Sequence, residues 1–210
     1  MNKIYNLFSL TLTFLLLSFL PCQSQNWNQI GNDIDGEEAP DTAVPFSVSA
    51  FESSTVSISS DGQTLAVGTG PNSGNGMSSG HVRIYNWSGS AWIQVGNDID
   101  GEAENDWSGM VSLSSDGQTV AIGAPANDGV NGVNSGHVRI YNWSGSAWIQ
   151  LGNDIDGELF TDYSGGRVSL SSDGQTVAIG AAGNGPWTGH VRIYNWSGSA
   201  WIQLGNDIDG

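Results

Sequence analysis

The chain has 210 residues, a formal net charge of −16, 30 glycines and a single cysteine. Beyond Lys3 every cation is one of four arginines, Arg83, Arg139, Arg167 and Arg192, set against 21 acidic residues. Such a surface repels phosphate and anionic membranes, which excludes nucleic acid as a partner, and with nothing beyond Cys22 there is no disulfide framework.

The first 24 residues read as an export leader. Lys3 supplies the positive end, Leu7 to Leu20 is apolar, and Cys22-Gln23-Ser24 places small residues for cleavage after Ser24. The apolar run is shorter than the ~20 residues of a membrane span, so the mature chain is not expected to insert. Lipidation at Cys22 is the weaker alternative, because Pro21 is not the small residue such a site wants. The expected location is secreted or cell surface.

Residues 25–210 are a repeat array. Trp27-Asn-Gln-Ile-Gly-Asn-Asp-Ile-Asp-Gly opens it, and 27–34 is expected to form a leading strand. The phrase Gly-His-Val-Arg-Ile-Tyr-Asn-Trp-Ser-Gly-Ser-Ala-Trp-Ile-Gln then starts at Gly80, Gly136 and Gly189. Self-similarity at this period marks a modular architecture.

In the middle unit Val111-Ser-Leu-Ser alternates, Ser115-Asp-Gly-Gln turns, and Thr119-Val-Ala-Ile-Gly is a second strand. Asp-Gly between alternating hydrophobics is a strong hairpin signal. His137 to Trp143 is a third strand, with Val138 and Ile140 on one face and His137, Arg139, Tyr141 and Trp143 on the other. Ser144-Gly-Ser-Ala turns again, and Trp148-Ile-Gln-Leu-Gly is the fourth strand.

Four antiparallel strands per unit predict an all-β fold of β-propeller blades, each a four-stranded meander. The blades are expected at about 55–97, 110–153 and 167–206. One twisted sheet cannot bury both faces, so neighbours must cover each other. Three blades and a leading strand make an incomplete propeller, expected to be either a piece of a longer protein or a chain whose copies associate to close a ring. The meander puts tight turns at one end and the long connections, with the acidic Gly-Asn-Asp-Ile-Asp-Gly-Glu segments, at the other.

Asp106-Trp-Ser-Gly-Met-Val-Ser-Leu-Ser-Ser-Asp-Gly-Gln-Thr-Val-Ala-Ile-Gly-Ala-Pro and its counterpart from Asp162 resemble the FG-GAP repeat of integrin α-chain-like propellers, in the version of exported bacterial proteins. The resemblance covers essentially the mature chain and implies extracellular adhesion or recognition. Gly-Ala-Pro is intact only at Gly123 to Pro125, and Ser108-Gly109 and Ser164-Gly165 stand where the family has Phe-Gly. The family's calcium loop does not carry over, because the first hairpin turn is too short to wrap a cation.

The acidic segments offer a calcium site of their own at Asp98, Asp100, Asp154 and Asp156, since carboxylates beside glycine suit a hard cation. The competing reading is that these Asx residues cap a turn by bonding the backbone. His81, His137 and His190 open their strands at matching positions and are expected to be structural or solvent-facing rather than ligands. Arg83, Arg139 and Arg192 should lie over a neighbouring aromatic ring or pair with a carboxylate between blades.

Trp107, Tyr163 and Trp187 lie in or beside the long loops, where they would either meet a ligand or cover the seam between blades. No nucleophile–base set is visible and no enzyme activity is expected. The expected function is an exported adhesion or binding module with an acidic loop face for an extracellular protein or glycan. The alternatives are a ring-forming lectin and the scaffold propeller of a larger enzyme or surface protein.

Overall fold

A computed structural model describes residues 28–35, 54–72 and 74–210, so the leader, its cleavage point and Cys22 lie outside the described residues. Blade one consists of Ser54–Ile58 (β1), Thr64–Thr69 (β2), His81–Trp87 (β3), Trp92–Gln94 (β4) and Ile99–Asp100 (β5). Blade two repeats it with Met110–Leu113 (β6), Thr119–Ala124 (β7), His137–Trp143 (β8), Trp148–Gln150 (β9) and Ile155–Asp156 (β10). Blade three has Ser164–Leu170 (β11), Thr176–Ala181 (β12), the one-turn helix Asn184–Trp187 (α1), His190–Trp196 (β13), Trp201–Gln203 (β14) and Ile208–Asp209 (β15). All three are antiparallel meanders, and together they are blades of a β-propeller. No helix among the described residues is long and apolar enough to cross a membrane.

The outer strand of each blade runs further than its sequence suggests. Tyr85 pairs with Gln94, but Val82 pairs with Ile99, so two extra residues bulge out between the two stretches. Val95 still donates its N–H to Ile84 at 2.7 Å before the bulge opens. Ile99–Asp100 is therefore part of the sheet and not an end loop, Asp98 sits in the bulge, and Gly101-Glu102 leaves toward the loop end. Of the expected leading strand 27–34, the described residues 28–34 carry no strand pairing; Gly31 instead rests against Trp87 and Trp92.

Alternation in the inner strand has a cause on each side. Val111 and Leu113 pack against Ala66, Val82, Ile84 and Ile99 of the preceding blade. Between them Ser112 faces the following blade, where its hydroxyl accepts the Leu170 N–H at 2.9 Å. Ser57 does the same for Leu113, also at 2.9 Å. Serine thus satisfies the edge of the next sheet, which would otherwise expose unpaired N–H groups. The Ser-Asp-Gly-Gln turn is locally locked: Asp116 accepts from Ser114 at 2.6 Å and from the Gln118 N–H at 3.0 Å.

Equivalent repeat positions meet different surroundings at the two ends of the array. Val56 and Ile58 are 71 % and 56 % exposed, whereas their counterparts Val111 and Leu113 are each 8 % exposed. At the far face Ile208 is 56 % exposed while Ile155 is 6 %. Among the described residues nothing covers either outer face. A shallow groove of about 470 Å³ lies on the third blade, lined by Tyr163, Arg167, His190, Val191 and Ile208 among others.

Candidate functional site

The bulge of the outer strand turns an acidic side chain back onto the third strand. In blade two this places the Asp154 Oδ2 3.7 Å from His137 Nδ1. Glu102, which follows the outer strand of blade one, brings its Oε2 to 3.9 Å from the same nitrogen. Its other oxygen stands 3.5 Å from Arg139 Nη1, and Arg139 Nη2 donates to the Asp100 carbonyl at 2.7 Å. Arg139 also lies 5.8 Å from the ring centre of Tyr141. The junction is thus a cluster of one imidazole, one guanidinium and two carboxylates, drawn from two blades.

The next junction repeats it. His190 Nδ1 lies 3.5 Å from Asp207 and 3.9 Å from Glu158, and Arg192 donates to the Asp156 carbonyl at 2.7 Å. In blade one, His81 lies 3.8 Å from Asp98, which accepts from Arg83 Nε at 3.2 Å. The residue in the corresponding glutamate position, Glu37, lies outside the described residues.

Burial sets the charge states. His137 is pushed down to about 4, first by burial and then by the Arg139 charge, so it is neutral at physiological pH. Glu102 is pushed up by burial, against the pull of Arg139. Asp156 is raised by burial and by the neighbouring Asp154 charge. Among the described residues, Nε2 of both His137 and His190, and Nε of Arg139 and Arg192, find no hydrogen-bond partner.

A second constellation shapes the long-loop end. Asp106, 2 % exposed, accepts the N–H groups of Glu102 at 3.1 Å and Ala103 at 2.8 Å, and the Asn127 amide at 3.1 Å. Asp162 does the same for Glu158 and Leu159, each at 2.8 Å, and for Asn184 at 3.2 Å. These two residues were legible only as part of the repeat signature. Each holds a loop in which the flanking residues adopt left-handed backbone, with φ of 67° at Asn105, 55° at Trp107, 58° at Thr161 and 53° at Tyr163.

Of the calcium candidates, Asp154 is brought together with Glu102 and His137, and Asp98 with His81 and Arg83. Asp100 and Asp156 pair in the sheet beside His81 and His137, and their carbonyls accept from the arginines. Trp107 and Tyr163 are half-buried on the loop end, while the Trp187 side chain lies outside the described residues. Arg139 and Arg192 pair across blades with Glu102 and Glu158, as expected. The ring each lies over, Tyr141 or Tyr194, belongs to its own strand and not an adjacent one, and Arg83 pairs with Asp98 of its own blade. The histidines are buried rather than solvent-facing.

No family model and no curated protein matches the chain. Among solved structures it is similar to a protein of Bacteroides uniformis provisionally assigned as a 6-phosphogluconolactonase, with a TM-score of 0.52 and 10 % identity over 73 % of this chain and 39 % of that one. A Bacteroides fragilis protein of the same provisional assignment gives 0.52 and 11 % over 78 % and 41 %. The β-propeller domain of the trilobed protease from Pyrococcus furiosus gives 0.45 and 12 % over 74 % and 41 %. This chain therefore spans about two fifths of the structures it matches. At such identities the likeness is one of fold alone.

Proposed function

We propose that the chain is an exported, non-enzymatic binding module of FG-GAP type that presents its long-loop end to an extracellular protein or glycan. The observation that carries this reading is the segregation of loop length. The β2–β3 and β5–β6 connections meet through Asn105 N–H to Met77 O at 2.9 Å and Asn75 Nδ2 to Gly101 O at 2.9 Å. The opposite end carries only tight turns, joined by Ser60 N–H to Ser115 O at 2.9 Å. Loops mounted on a rigid scaffold are where recognition resides.

The loop end exposes Glu102, Glu104, Asp128 and Glu158, so a cationic or hydrogen-bonding partner suits it. Trp107 and Tyr163 supply flat, partly exposed rings on strained backbone, fit to stack on a sugar or anchor a side chain. Titration of the intact protein with an oligosaccharide array and with immobilised basic extracellular proteins tests this. Affinity that Trp107→Ala and Tyr163→Ala reduce is the expected result. Indifference to every surface and sugar would sink the reading.

A second reading, a lectin closed into a ring from several copies, is favoured by the open outer faces. Val56 and Ile58 on one side and Val191 and Ile208 on the other repeat the two halves of a junction that the chain forms twice internally. A defined oligomer by light scattering, with sugar-protected tryptophan fluorescence, supports it. A monomer indifferent to sugars removes it.

A further inference from the structure

We propose that each blade junction takes up one divalent transition-metal ion, Zn²⁺ or a metal of like preference, between the strand-three histidine and two carboxylates from successive blades. The ligands are His137 Nδ1, Glu102 and Asp154 at one junction, and His190 Nδ1, Glu158 and Asp207 at the next. In each set the ligand atoms lie within 4.8 Å of one another.

The spacing is the first argument. A hydrogen-bonded imidazole and carboxylate close to ~2.7–3.2 Å, yet His137 stands off at 3.7 and 3.9 Å. Two ligands held ~2.0–2.2 Å from one tetrahedral ion are separated by roughly 3.3–3.6 Å. A contraction of a few tenths of an ångström brings the histidine to ligand spacing from each carboxylate, and the two carboxylates, which lie within 4.8 Å of each other, close around the ion with it. The second junction offers 3.5 and 3.9 Å.

The second argument is the state of the histidine. The His137 side chain is 2 % exposed, its Nε2 has no partner, and its Nδ1 meets only carboxylates beyond hydrogen-bond range. A buried polar group left so has lost its water without compensation. A metal on Nδ1 gives the buried ring a strong interaction on the side that faces the carboxylates, with Nε2 carrying the N–H, and a neutral imidazole is the form that binds it.

The surroundings fit as well. Arg139 engages the Glu102 oxygen that faces away from the histidine and is itself tied to the Asp100 carbonyl. It thereby orients the carboxylate as outer partners do around metal ligands. Glu102 and Asp154 are 46 % and 31 % exposed at the side chain, so an ion reaches the histidine from solvent. One nitrogen and two carboxylates suit zinc and its neighbours, with water completing the set. Calcium, which wants six to eight oxygens, is poorly served. An ion here would bridge successive blades and stabilise their packing by mass action.

Chelator-stripped protein titrated calorimetrically with Zn²⁺, and followed by visible absorption with Co²⁺, tests the proposal. Two equivalents should bind, with a rise in Tm. His137→Gln and His190→Gln should each remove one equivalent. Glu102→Gln, at the exposed rim, should weaken one site while the circular dichroism of the sheets is kept, so ligand loss is separable from unfolding. No uptake in large metal excess, a stoichiometry unaltered in all three variants, or displacement of Co²⁺ by equimolar Ca²⁺ would overturn it.

Discussion

Trp148 donates its indole N–H to the carbonyl of Val95, one blade earlier, at 2.9 Å. Trp201 makes the same bond to Leu151 at 2.8 Å. Each acceptor is the residue just before the outer-strand bulge, so the tryptophan braces the bulge that aims Asp98 or Asp154 inward. Each ring also packs on its hairpin partner, with Trp143 and Trp148 centred 5.3 Å apart. Trp148→Phe should keep most of the packing and lose the bond, costing about 1 kcal/mol. Trp148→Ala should cost about 3 kcal/mol or more. Urea midpoints that do not separate the two variants would argue against the indole bond as a brace.

Acid should loosen the second junction. His137 titrates near 4 in the folded chain against 6.5 ordinarily. Between those values the unfolded chain holds more protons, so stability falls as pH drops from about 6.5 to 4 and is level above that window. The full difference is worth about 3 kcal/mol. Glu102, raised by burial, has the opposite sign just above its ordinary value and offsets part of this. Denaturation midpoints measured in chelator between pH 7.5 and 4.5 should flatten in His137→Gln. An unchanged slope would show that the histidine does not carry it.

Asp162 should matter more to stability than an acidic loop residue ordinarily does. It is 1 % exposed and receives two backbone N–H groups and the Asn184 amide. Asp162→Asn removes the charge and turns a donor toward other donors, at a cost of about 1.5–3 kcal/mol. Glu104→Gln, in the same connection of blade one and exposed, should stay within about 0.5 kcal/mol. Equal effects in a thermal melt would refute the difference.

Glycine serves two distinct ends in the repeat. Gly136 has φ of 71°, and a Cβ there would sit 2.2 Å from the Ser164 carbonyl of the next blade. Gly145 has φ of 91° in a turn with open space around it. Gly145→Ala should cost about 1 kcal/mol of backbone strain, while Gly136→Ala should cost about 3 kcal/mol or more by forcing the blades apart. A comparable loss in both would mean that the junction can yield.

Twin positions report on the open face. Ile155→Asp buries a charge between blades and should unfold the array or cost upwards of about 3 kcal/mol. Ile208→Asp, at the same repeat position but exposed, should leave the monomer within about 0.5 kcal/mol and abolish any self-association through that face. A severe loss at Ile208 in monomeric protein would show that the face is covered.

The repeat, its strand order, the hairpin turns and the division of the third strand into an apolar and a polar face could be read from the sequence alone. Those features depend on contacts along a few residues: alternation of two, and aspartate and glycine in tight turns. The tertiary structure decided what adjacent residues could not. Nothing local marks the two-residue bulge, since Asn-Asp-Ile-Asp-Gly-Glu reads equally well as an end loop. That bulge brings Asp154 beside the third strand, and stacking of the blades then delivers Glu102 from the preceding unit to His137. A site assembled from one strand, one bulge and one neighbouring sheet exists only after the sheets pack, because its members share no sequence window and meet across a junction between blades.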